Sequence, residues 1–92
     1  MKQYIMFIDL SEKELKDLKN LPAEKVIVTE PTIKKIVKIL KLTKRTNLEL
    51  IGLRNSVVKE LTKDDEDDDN WTRMSMITCV IDNEKWKRGM AI

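Results

Sequence analysis

The stretch Trp71-Thr72-Arg73-Met74-Ser75-Met76-Ile77-Thr78-Cys79-Val80-Ile81-Asp82 is the longest strand candidate in the chain, and its reading decides the fold. Thr, Ile and Val suit a pleated, half-buried surface, so the composition predicts a β-strand. A strand of this length requires partners, and the remaining segments are read around it. Asp82-Asn83-Glu84-Lys85 then becomes a turn, and Trp86–Ile92 a short tail or last strand.

Upstream, Asn47–Leu61 admits two readings. Asn47–Leu53 alternates well enough for a strand, with Asn55 or Ser56 then capping a short helix. A continuous helix is the rival, because Leu50, Leu53, Val57 and Leu61 keep helical spacing. Strand followed by helix is preferred, since Gly52 and Asn55-Ser56 interrupt the helical pattern. Further upstream, Pro31 to Lys44 predicts a helix opened by proline. Its apolar residues Ile33, Ile36, Val37 and Leu40 share one face. Lys25–Thr29 is β-branched and reads as a strand. Ser11 and Glu14 have the spacing of a capping box, with Leu10 and Leu15 placed for a hydrophobic staple. That predicts a helix ending at Asn20-Leu21-Pro22. Residues 3–10 read as a buried first strand.

The result is an α+β expectation in β-α-β-α-β-α-β order: a small mixed sheet of three to four strands carrying two to three helices. The first crossover is too short for comfortable parallel pairing, which favours a mixed sheet. At 92 residues the chain holds one domain, 1–92, with an acidic loop at about 63–70.

Composition excludes several chemistries. There is no histidine, so Ser-His-Asp and Cys-His sites are impossible. Glycine occurs twice and in isolation, so no phosphate-cradling loop exists. The single cysteine, Cys79, forms no internal disulfide and reads as a buried strand thiol. These absences point away from an enzyme and imply no cofactor. The apolar stretch Tyr4–Ile8 meets Asp9 at once, unlike a leader sequence. No apolar run approaches the roughly 20 residues of a membrane span. A cytoplasmic protein without membrane contact is expected.

Charge is segregated along the chain. Residues 1–63 carry 14 Lys/Arg against 8 Asp/Glu, while Asp64-Asp65-Glu66-Asp67-Asp68-Asp69 is wholly acidic. The acidic run invites three readings. It can be a solvated loop that keeps itself extended by repulsion. With Trp71 it can be a docking surface for a basic partner protein, which it would meet by electrostatic steering. Because its charge density approaches that of a nucleic-acid strand, that docking surface would act as a nucleic-acid mimic. Both Trp71 and Trp86 read as core residues before they read as anchors. As a Ca²⁺ loop the run fails, since Asn70 stands where glycine is needed and Met76 where glutamate is needed; no metal site is assigned.

Lys34, Lys38, Lys41 and Arg45 form one continuous outer stripe of the basic helix 31–45, an alternative nucleic-acid footprint. A winged-helix-like outline would turn Asn55, Ser56 and Lys59 toward the major groove. Six carboxylates on its wing tip would repel DNA. The preferred expectation is therefore a small non-enzymatic binding module, a regulator or inhibitor acting through Asp64–Asp69 and Trp71. Such a composition fits a phage- or virus-encoded factor. A homodimer joined through Trp71–Asp82 is a further expectation.

Overall fold

The computed structural model describes residues 7–63 and 68–90, and among these the fold is helical throughout. The order is α1 (Glu12–Lys19), α2 (Glu30–Leu40), a 3₁₀ turn (Leu42–Lys44), α3 (Asn47–Leu61) and α4 (Asp68–Lys87). No strand occurs among the described residues, so the α+β expectation and its mixed sheet are wrong.

The decisive stretch Trp71–Asp82 lies inside α4, as do the expected turn Asp82–Lys85 and the start of the expected tail. Three features explain why β-branched residues accept a helix here. Asp68 and Asp69 occupy the first turn and Lys85 and Lys87 the last, so both ends complement the helix dipole. The hydroxyls of Thr72 and Thr78 bond back to the carbonyls of Asp68 (3.1 Å) and Met74 (2.9 Å), removing polar atoms that would otherwise need partners. Most importantly, Met74, Ile77 and Ile81 recur at helical spacing, and Ile77 and Ile81 are fully buried. Packing thereby overrides a weak intrinsic preference.

For α3 the continuous-helix alternative is the correct one. Thr46 caps it: its hydroxyl accepts the Glu49 amide (3.2 Å), and the Glu49 carboxylate accepts the Thr46 amide (3.1 Å). Leu50, Leu53, Val57 and Leu61 are completely buried along one stripe. The most extensive interface in the molecule joins this stripe to α4 in a helical hairpin. The Arg54–Asp82 ion pair (2.9 Å) and the Arg88–Asn47 hydrogen bond (3.1 Å) fix an antiparallel register.

The other two helices follow the sequence more closely. Ser11 and Glu14 form the expected capping box of α1. In α2, Ile36 and Leu40 are fully buried and Ile33 and Val37 partly so. However, α2 ends at Leu40 rather than Lys44. Lys41 caps it in the left-handed conformation, φ 52° and ψ 46°. That geometry costs a side-chain-bearing residue about 1–2 kcal/mol relative to the right-handed one.

In the two short strand candidates, the described residues are connections instead. Residues 25–29 form no ladder, because with α3 and α4 helical no neighbouring strand among the described residues satisfies their amides and carbonyls. Val26 and Ile27 are consequently 92% and 76% exposed. Of the expected first strand, residues 3–6 lie outside the described residues. Residues 7–10 run as a strap over α3, with Ile8 and Leu10 against the core and the Ile8 amide donating to Ser56 Oγ (2.7 Å).

The core gathers one patch from every element: Leu18 of α1, Ile36 and Leu40 of α2, Leu42 of the 3₁₀ turn, and the α3 and α4 stripes. No described helix is long and apolar enough to cross a membrane.

Candidate functional site

Asp64, Asp65, Glu66 and Asp67 lie outside the described residues. Asp68 and Asp69, the end of the acidic run, are exposed in the first turn of α4 and are helical rather than part of a loop. One turn further on, Trp71 is 42% exposed, and Trp86 is 70% exposed at the other end of α4. The core reading of both tryptophans is thereby overturned. Cys79 is also exposed, on the helix and not in a buried strand.

Trp71 does not stand alone. It lines an open groove of about 580 Å³ together with Val26, Val28, Asp68, Met76 and Cys79. One wall is the α1–α2 connection and the other is the first half of α4. The connection is held in place by Glu24. Its carboxylate accepts the Thr29 amide (2.6 Å), the Thr29 hydroxyl (2.8 Å) and the Thr32 hydroxyl (2.5 Å), which replaces a side-chain cap at the start of α2. The Thr32 hydroxyl bond and then the Thr29 amide lower the Glu24 carboxyl below its ordinary value of 4.5, against the opposing effect of desolvation. From the other side, Arg73 on α4 donates to the Leu21 carbonyl (2.6 Å). Val26 is thus exposed on a connection that is anchored at Leu21 and at Thr29.

The basic stripe is only partly realised. Lys34, Lys38 and Lys41 are exposed, and with Lys44 they line a second groove of about 520 Å³ whose floor is Ile33 and Val37. Arg45 is not among its lining residues. The helix ends five residues earlier, and the Arg45 side chain turns inward, donating to the Leu40 carbonyl (3.0 Å) and pairing with Glu14 (3.5 Å) and Glu49 (3.4 Å). Its role is to tie α1, the end of α2 and the start of α3 together.

The winged-helix frame finds no support in these positions. Ser56 is buried and holds the N-terminal strap, while the Lys59 ammonium sits 4.9 Å from the centroid of the Phe7 ring. No strand is available to form a wing among the described residues.

Arg88 is a residue that the sequence reading missed. Its guanidinium donates to the carbonyls of Leu42 (3.0 Å) and Arg45 (2.6 Å), to Asn47 Oδ1 (3.1 Å) and to Glu84 (3.2 Å). It closes the end of α4 onto the α2–α3 connection. No sequence signal marks it, because three of its four acceptors, two of them backbone carbonyls, lie more than forty positions away.

Among the described residues, no group of three or more His, Cys, Asp or Glu is placed to hold a metal ion. Comparison with protein-family models, with curated proteins and with solved structures returns no match to this chain.

Proposed function

We propose that this chain is a small non-enzymatic binding module, a regulator or inhibitor, that docks a basic partner protein on the groove between Val26 and Trp71. The observation that carries the reading is the shared location of Trp71, the exposed Val26, the half-buried Val28 and Asp68 of the acidic first turn of α4. Apolar side chains left in water become useful when a partner covers them, each full burial contributing roughly 1.5–3 kcal/mol. Tryptophan is the residue type most enriched at the energetic centre of such interfaces. Asp68 and Asp69, preceded in the chain by four further acids, supply a negative rim that would speed encounter with a basic surface and set its orientation.

Affinity capture from the native host, with and without nuclease, tests this reading. The expected result is a basic protein recovered in stoichiometric amount, insensitive to nuclease and lost with Val26→Ser or Trp71→Ala. Recovery that disappears after nuclease treatment, or that survives both substitutions, contradicts it.

A further inference from the structure

The second groove has a different chemistry from the first. Its rim is Lys34, Lys38, Lys41 and Lys44, its floor is Ile33 and Val37, and no acidic side chain lines it among the described residues. Among the described residues, the one ion pair these lysines make is Lys34 with Glu30 (3.8 Å), an exposed i,i+4 contact too wet to neutralise it. We infer that this groove is a docking site for an acidic amphipathic segment of a partner protein, with apolar side chains on Ile33 and Val37 and carboxylates on the lysine rim.

Two observations favour this occupant. The first is charge complementarity around an apolar floor: the lysine stems extend the apolar surface while their ammonium groups surround it, so a ligand must be both apolar and negative. A nucleic acid matches the rim but not the floor. Among the described residues, the lining offers no aromatic ring for base stacking and no Arg, Asn or Gln for base edges, since Arg45 is committed to Glu14 and Glu49. The second is the backbone of Lys41. It is the only described non-glycine residue with positive φ, at a helix cap where glycine is the unstrained choice. The chain keeps a strained lysine at the edge of the groove, and strain retained at a surface position is a marker of function.

The inference concerns a face separate from the Val26–Trp71 groove and stands or falls independently of it. Its test uses a fluorescein-labelled helical peptide with Glu on one face and two Leu at i, i+4 on the other. A second peptide of equal charge has the leucines replaced by Ser, and a short DNA duplex and a single-stranded RNA complete the set. The full chain is expected to prefer the leucine peptide to the serine peptide and to both nucleic acids. Lys38→Glu combined with Lys41→Glu should weaken the leucine peptide by about tenfold or more, since two attractive pairs become repulsive. Lys41→Gly should raise the melting temperature while weakening the peptide several-fold, which separates lost binding from lost folding. Tighter binding of either nucleic acid, equal binding of the serine peptide, or unchanged affinity in both lysine variants would overturn the inference.

Discussion

At the scale of single residues, polar side chains that reach far along the chain hold the helices in place. Arg88 donates to the carbonyls of Leu42 and Arg45, at the start and just past the end of the 3₁₀ turn, and so ties the end of α4 to the α2–α3 connection. Arg88→Ala should therefore destabilise the fold by about 2 kcal/mol, the usual range for hydrogen bonds to a charged group, as read by urea unfolding. Glu24 and Glu49 make a different prediction. The Thr32 hydroxyl at Glu24 and the Thr46 amide at Glu49 are the largest causes holding each carboxyl below 4.5 in the folded chain. A group with a depressed folded value contributes stability in full above its unfolded value and loses it as the pH falls through the folded one. The melting temperature should thus decline below about pH 4.5. That decline should be shallower in a Glu24→Gln, Glu49→Gln variant, in which neither position can take up a proton; equal slopes would contradict the assignment. Of these partners only the Thr46–Glu49 capping box could be read from sequence, because the others depend on which segments meet in space.

At the scale of elements, what was legible depended on local signals. The helices α1 and α2 announce themselves through Ser11-x-x-Glu14 and Glu30-Pro31, and both formed where those signals stand. The same Thr-x-x-Glu signature opens α3 at Thr46 and Glu49, and it would have decided between the two readings of 47–61. In α4 the β-branched composition concealed the period. Strict alternation would put Trp71, Arg73, Ser75, Ile77, Cys79 and Ile81 on one face, a mixture that no buried sheet face favours. Helical spacing instead isolates Met74, Ile77 and Ile81 on the core side and leaves Ser75, Cys79 and Asn83 exposed. Asn83 gives a direct check. Within a helix, Asn83→Ala should raise stability by about 0.5 kcal/mol, whereas in the turn expected from sequence it should lower it. The same reasoning explains Lys25–Thr29: a β-branched run without a neighbouring strand stays an open connection, and its apolar side chains face solvent.

At the scale of the whole molecule, the functional features were partly visible in advance. Trp71 and the lysines of α2 were recognisable as unusual residues, but their settings were not. That Val26 and Val28 line one groove with Trp71 follows from placing the α1–α2 connection beside α4, and that Arg45 leaves the basic stripe follows from the helix ending at Leu40. The fold places two grooves of different character on one small scaffold, one with an aromatic and acidic border and one ringed by lysine. Rigidity of the scaffold rests on the α3–α4 hairpin. Ile77→Ala, at a completely buried site within it, should cost about 3 kcal/mol in chemical denaturation and loosen both grooves together.

Trp71 is the proposed anchor of a protein interface, and its fluorescence reports on this directly. In a Trp86→Phe variant Trp71 is the sole tryptophan. On addition of the captured basic partner, its emission should shift to the blue and its quenching by acrylamide should fall. A partner that binds while Trp71 remains as quenchable as in the free chain would contradict the account.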